Sequence, residues 1–160
     1  ERTGHAGSGE AAMIRLEEMS PSHLDGMLAV EKACFPSDAW TRTMFEKELD
    51  NRISVYYVAV DTDTGDVAGY AGVWMMVDVG NITNVAVAPA LRRQGIGRYL
   101  VDAVVTACRR YGMESVTLEV RAGNLAAQRL YETCGFVRVG IRKGYYKDRE
   151  DAVLMTKTLL

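Results

Sequence analysis

Apolar and polar residues alternate from Met13 to Glu18 (MIRLEE), the two-residue period of a half-buried strand. Ser20-Pro21 then offers a helix N-cap with proline at the first helical position. Leu24, Met27 and Leu28 open an apolar stripe that runs to Cys34, and Phe35-Pro36-Ser37-Asp38 breaks the helix. Thr41 can cap a second helix with Met44, Phe45 and Leu49 on its buried side. Ile53 to Asp61 and Val67 to Val77 are rich in β-branched and aromatic residues, and Asp63-Thr64-Gly65-Asp66 between them signals a hairpin. A third strand, Ile82 to Ala88, closes this meander at Pro89. From Gly95 the period changes: Ile96, Leu100, Ala103, Val104, Ala107 and Tyr111 mark one face of a helix that Gly112 ends. Ser115 to Val120 reads as a strand. Asn124 caps a short helix with Ala127, Leu130, Tyr131 and Cys134 inward, stopped by Gly135. Phe136 to Ile141 and Ala152 to Thr158 form a last strand pair around a charged loop. The predicted order is β-αα-βββ-α-β-α-ββ, a mixed α/β (α+β) chain.

Residues 1–12 are small, polar and without periodicity. They read as a disordered leader, with Met13 a candidate start and residues 13–160 one domain. The chain has 160 residues, 48% hydrophobic and 25% charged, an ordinary globular mixture that excludes bulk disorder. No run approaches the ~18 apolar residues of a membrane span, so no membrane partner is expected. Nineteen basic and 21 acidic residues leave a net charge of −2, which argues against direct nucleic-acid binding. Cys34, Cys108 and Cys134 form no Cys-x-x-Cys pair, and His5 and His23 sit in no metal-binding spacing. Reduced thiols in a cytoplasmic protein and no metal site are expected.

The candidate chemistry begins at Arg92-Arg93-Gln94-Gly95-Ile96-Gly97-Arg98, between a strand and a helix. The first N–H groups of a helix have no internal partner and carry partial positive charge. Glycines let a phosphate approach that backbone, and three arginines add full charges, the physics of a pyrophosphate cradle. A glycine turn with solvated arginines is the alternative. Leu100 stands where the dinucleotide fingerprint needs glycine, and Gly-x-x-x-x-Gly-Lys-Ser/Thr is absent. What remains is Arg-x-x-Gly-x-Gly after Asn84-Val85-Ala86-Val87-Ala88-Pro89.

That arrangement resembles the acetyl-CoA loop of the GCN5-related N-acetyltransferase (GNAT) superfamily, and the element order resembles its fold over roughly residues 13–158. Ile82-Thr83-Asn84-Val85-Ala86-Val87, Leu118-Glu119-Val120-Arg121, Asn124 to Gln128, Leu130-Tyr131, Gly135-Phe136 and Gly140 to Tyr146 resemble the RimI-type enzymes within it. Those are bacterial enzymes that acetylate the N-terminal alanine of small-subunit ribosomal protein eighteen. One stretch departs: Phe35-Pro36-Ser37-Asp38-Ala39-Trp40 is looser than the family's Phe-Pro-x-Pro-Trp.

The resemblance implies a mostly antiparallel central sheet flanked by helices. It also implies acetyl-CoA as co-substrate, a protein N-terminus (of a ribosomal protein) as partner, and direct attack in a ternary complex. Glu119 becomes the general base and Tyr131 the general acid. Arg92, Arg93, Gln94, Gly95, Ile96, Gly97 and Arg98 would hold the pyrophosphate. Val85, Ala86 and Val87 would hold the pantetheine arm through a backbone splayed from the next strand, and Asn124 and Tyr131 would also touch the cofactor. Phe35, Trp40, Tyr145 and Tyr146 are the candidates for clamping the acceptor. Each has a structural alternative: a salt bridge from Glu119 to Arg121 or another arginine, a core tyrosine, a helix cap, ordinary aromatic packing. Arg142, Lys143, Lys147 and Arg149, offset by Asp148, Glu150 and Asp151, read as a solvated hairpin. A lysine or small-amine acetyltransferase, or a non-catalytic acyl-CoA sensor, would share most of these features.

Overall fold

The strand-like runs pair into one sheet in the computed structural model, which describes residues 2, 3 and 13–160. Its strands are β1 (Arg2–Thr3), β2 (Met13–Glu18), β3 (Ser54–Asp61), β4 (Val67–Met76), β5 (Val79–Val87), β6 (Ser115–Arg121), β7 (Val137–Arg142) and β8 (Ala152–Thr158). The helices are α1 (Leu24–Cys34), α2 (Arg42–Leu49), α3 (Ile96–Arg110) and α4 (Leu125–Thr133). Across the sheet the order is β1-β2-β3-β4-β5-β6-β8-β7. Among the described residues every pairing is antiparallel except β5 with β6, which the crossover through α3 makes parallel. The expected order from Met13 onward is the one adopted. Arg2–Thr3 pairs with Met13 and Ile14, so these two leader positions are strand. The rest of the expected leader, positions 1 and 4–12, lies outside the described residues.

β4 runs through the middle and is buried from Ala68 to Val73, because helices cover both faces of the sheet. On one face α3 lays Leu100, Val101, Val104 and Cys108 against Ala71, Leu118 and Met155. On the other, Leu24 and Met27 of α1 and Phe45 of α2 pack on Val58, Tyr70 and Ala86. These apolar stripes hold the helices in place more than local helix propensity does. No helix among the described residues is long and apolar enough to cross a membrane.

Several expectations shift locally. Ser20 caps not α1 but a preceding 3-10 turn, Pro21–His23, where its N–H donates to His23 Nδ1 at 3.0 Å. Met44 is exposed, and Glu48 takes the inward position on α2, accepting from Ser54 Oγ and Trp74 Nε1. Tyr111 falls just past α3 and is exposed. Thr41 and Asn124 cap α2 and α4 as expected.

One irregularity matters for function. β4 and β5 lose register between Gly72–Asn84 and Val73–Ile82, leaving Thr83 as an extra residue in β5. Such a bulge bends its strand and re-aims side chains. Ile82 accordingly joins the α3 core, whereas Ala86 joins the α1 core.

Candidate active site

A cleft of about 200 Å³ opens where β5 and β6 part. Their ladder consists of Val79–Ser115, Gly80–Val116 and Asn81–Thr117 and goes no further, while β6 stays paired with β8 along its whole length. Residues 82–85 of β5 and 118–121 of β6 therefore face each other across open space. Asn124, Ala127 and Tyr131, and Glu31, Phe35, Asp38, Trp40 and Tyr146, complete its lining.

Strand alternation puts Val116, Leu118 and Val120 in the core and leaves Glu119 and Arg121 less buried. Glu119 lines the cleft, with Oε2 3.4 Å from Arg142 Nε. Of the salt-bridge alternatives for Glu119, the pair with another arginine, Arg142, forms, whereas the pair with Arg121 does not, because Arg121 is taken by three other carboxylates. It reaches Asp38 at 2.7 Å, Asp148 at 3.0 Å and Glu150 at 2.8 Å. Its guanidinium also lies 4.0 Å from the centroid of the Tyr146 ring. Glu150, then Asp38, hold its pKa above the usual arginine value. One residue thus joins the loop after α1 to the β7–β8 loop. The latter is exposed from Arg142 to Tyr145 and from Lys147 to Arg149, as expected of a solvated hairpin, and is tied down where Asp148 and Glu150 meet Arg121 and where Asp151 accepts from the Gly144 N–H. Arg121 gave no functional signal beyond its place in the Leu118–Arg121 motif.

Tyr131 is 8% exposed and packs edge-on against Phe136, at 5.9 Å between ring centroids. Burial pushes its phenol well above the usual tyrosine value. No hydrogen bond to another described residue takes up its hydroxyl. Glu119 and Tyr131 therefore reach one cleft from different elements, with a carboxylate and a firmly protonated phenol available.

Trp40 sits 5.2 Å from Phe45 and 6.5 Å from Tyr56, ring to ring, and lines the cleft together with Phe35 and Tyr146. Tyr145 does not line it. It is half-exposed and packs edge-on against Tyr146 at 5.0 Å, supporting that ring from outside.

Residues 24–136 match the acetyltransferase (GNAT) family. The chain belongs to that family. A Bacillus subtilis protein provisionally named as a ribosomal protein bS18-alanine N-acetyltransferase is 37% identical over 147 residues, 91% of this chain and 93% of that one. The Escherichia coli K12 ribosomal protein bS18-alanine N-acetyltransferase is 39% identical over 119 residues, 72% of this chain and 78% of that one. In three dimensions the chain is similar to the crystal structure of the Escherichia coli ribosomal-protein-S18-alanine N-acetyltransferase. The TM-score is 0.81 at 29% identity, covering 92% of this chain and 94% of that one. Ard1 from Thermoplasma volcanium superposes with a TM-score of 0.84 at 27% identity, over 92% and 98% of the two chains.

GNAT enzymes use acetyl-CoA, and the start of α3 suits its pyrophosphate. Gly95 adopts φ +82°, and the first helical bond runs from Tyr99 N–H to the Gly95 carbonyl. The N–H groups of Ile96, Gly97 and Arg98 precede that bond and have no partner in the helical ladder. A Cβ added at Gly95 would meet nothing within 4 Å, so the loop surface is open there. Other loop residues behave differently from expectation. Ile96 is buried in the core and can offer only its backbone. Arg92 folds back, its Nε donating to the Val87 carbonyl and its Nη2 lying near Cys34 Sγ, each at 3.3 Å. Arg98 lies 3.9 Å from Asp102 in the next turn.

Gly97 also has a different reason to be glycine. Its Cβ would lie 3.1 Å from Leu130 Cδ2 and 3.6 Å from Val87 Cγ2, at the α3–α4 contact rather than on the phosphate side. Gly97→Val should therefore overpack that contact at about 1–3 kcal/mol, lowering the Tm by several degrees. Gly95→Val meets no neighbour but must hold a left-handed backbone at a cost of about 1–2 kcal/mol, so it should lower the Tm and also raise the KM for acetyl-CoA. Thermal melts and acetyl-CoA titrations of both variants check this. A Gly97→Val protein with wild-type Tm and a raised cofactor KM would return Gly97 to the phosphate side.

Proposed function

We propose that this GNAT enzyme transfers acetyl from acetyl-CoA to the N-terminal α-amine of a cytoplasmic protein, with an N-terminal alanine of a small-subunit ribosomal protein as the leading acceptor. The observation that carries this reading is the parting of β5 and β6 into a cleft lined by both Glu119 and Tyr131. The substrate named for the Bacillus subtilis and Escherichia coli relatives supports the choice of acceptor.

Each element of the cleft then has a task. The α3 N-terminus, with Arg93, Gln94 and Arg98, faces the pyrophosphate, while Arg92 keeps the end of β5 in place. Backbone groups of Val85, Ala86 and Val87, left without a β6 partner, hold the pantetheine arm, and Asn124 borders it from the cap of α4. Acetyl-CoA supplies the thioester whose acyl carbon the amine attacks. A fixed backbone N–H beside the Thr83 bulge polarises the carbonyl, a contribution of typically ~10²–10³ in turnover. Glu119, directly or through one water, takes the proton that the amine must lose. Tyr131 gives its proton to the departing sulfur. Phe35, Trp40 and Tyr146 flank the acceptor peptide, with Tyr145 behind Tyr146.

An α-amino group has a pKa near ~8 and a lysine side chain near ~10.4. One carboxylate base near neutral pH therefore favours a chain N-terminus over lysine. A panel of alanine-initiated peptides, N-terminally blocked lysine peptides and small amines, read by mass spectrometry and CoA release, tests the proposal. Alanine-initiated peptides should be modified fastest. Equal rates on blocked lysine peptides would replace this reading with the lysine one, and acetyl-CoA binding without turnover on any amine would leave a sensor.

A further inference from the structure

Glu31 occupies a core position of the α1 stripe, between Val30 and Cys34, and is 1% exposed. No basic side chain among the described residues lies within ion-pairing distance of it. Burying a carboxylate without a cation is costly unless its lone pairs are satisfied. Here they are, by donors from three separate parts of the fold. Oε2 accepts from the backbone N–H of Trp40 at 2.9 Å, in the loop that lends Phe35, Asp38 and Trp40 to the cleft lining. Oε1 accepts from Asn84 Nδ2 at 3.1 Å, the β5 residue just after the bulge, and from the Tyr70 hydroxyl on β4. Burial, and then the Glu31 charge, push the Tyr70 phenol up, so it stays a donor.

We propose that Glu31 is a positioning residue for acetyl transfer: one carboxylate ties the acceptor loop to the bulged strand and sets the gap between them. The proposal rests on the cleft reading above. It explains why an acid stands where an apolar side chain would satisfy the helix. Only a carboxylate accepts from all three donors with no N–H of its own to place. An amide at this position either aims its NH₂ at the Trp40 N–H, where a donor faces a donor, or aims it at Tyr70 and Asn84, which must then turn from donors to acceptors. The loop bearing Phe35, Asp38 and Trp40 would then shift relative to β5, while the start of α3, seated in the opposite core through Ile96 and Leu100, would not.

The test is a split between two Michaelis constants, read on whichever amine the wild-type enzyme acetylates fastest. Failure of the alanine N-terminus reading would show in that wild-type ranking, separately from the variants. Glu31→Gln should raise the acceptor KM about tenfold or more, with the acetyl-CoA KM within about twofold of wild type. Asn84→Ala, which cuts the tie to β5 but spares Trp40, should move the acceptor KM in the same direction. In the double variant the second change should add little, because both cut one link. An unchanged acceptor KM, or a parallel rise in both constants, would overturn the proposal. If Glu31→Gln does not fold, Asn84→Ala decides by the same split.

Discussion

Glu119→Gln should lower kcat/KM for the acceptor by ~10²–10⁴, the usual contribution of a positioned general base. The amide keeps the size of the side chain and can still accept a hydrogen bond, so shape and cleft lining persist. What it loses is the ability to take a proton from the incoming amine. Arg142, 3.4 Å from Glu119 Oε2, does not remove the carboxylate from service. Its side chain is 57% exposed against 22% for Glu119, and at 3.4 Å a pair with one end in solvent is worth about 1 kcal/mol. The same weakness means that Glu119→Gln should leave the Tm close to wild type. Steady-state kinetics with an alanine-initiated peptide and a thermal melt check both points. Turnover within tenfold of wild type, or a large loss of Tm, would make Glu119 a structural residue.

The parts of the fold readable from the chain were those where local pattern and tertiary burial agree. Each strand and helix from Met13 to Thr158 is marked by its own period, and Thr41, Asn124 and Gly112 mark helix ends by capping chemistry that needs no distant partner. The parting of β5 from β6 came only through family resemblance. Neither Ile82–Val87 nor Ser115–Val120 carries a sign that their pairing stops at Asn81–Thr117. Glu119 and Tyr131 were likewise singled out by motif, and the structure brings both to one cleft.

The misses have physical causes. Gly97 and Ile96 stand inside a phosphate-loop motif, and only the tertiary fold shows that the missing Cβ of one faces Leu130 and the side chain of the other the core, so that each has only its backbone to offer a phosphate. Arg121 is one of the arginines open to Glu119 as the structural alternative to its role as base. Yet its charge is shared with Asp38, 83 positions earlier, and with Asp148 and Glu150 beyond α4, contacts that sequence distance hides. Glu31 and Glu48 are different: each interrupts an apolar stripe, one after Met27 and Val30, the other after Phe45. An acid in a stripe position is a signal open to any reader of the sequence, and in both cases it marks a buried carboxylate with several neutral donors.

Tyr131→Phe should reduce kcat by ~10² or more while the KM for acetyl-CoA stays near wild type. The ring does the packing: it is buried against Phe136, and phenylalanine keeps that contact without a cavity. In the proposed mechanism the hydroxyl does the chemistry. It is not spent on a structural hydrogen bond with another described residue, and burial keeps it protonated above the ordinary tyrosine value. An acid must hold its proton until the sulfur leaves, and a phenol with a raised pKa does so throughout the neutral and mildly alkaline range. The pH profile should therefore show no loss of kcat from this group up to about pH 10, the ordinary tyrosine value. Folding has the same sign. The folded state holds the Tyr131 proton more tightly than the unfolded chain does. Its contribution to stability is thus complete below about pH 10 and declines only above it, as tyrosine in the unfolded chain ionises. Kinetics of Tyr131→Phe with saturating acetyl-CoA from pH 7 to 10 separate the two roles. A variant that keeps wild-type kcat would confine Tyr131 to packing and leave the departing sulfur to take its proton from solvent.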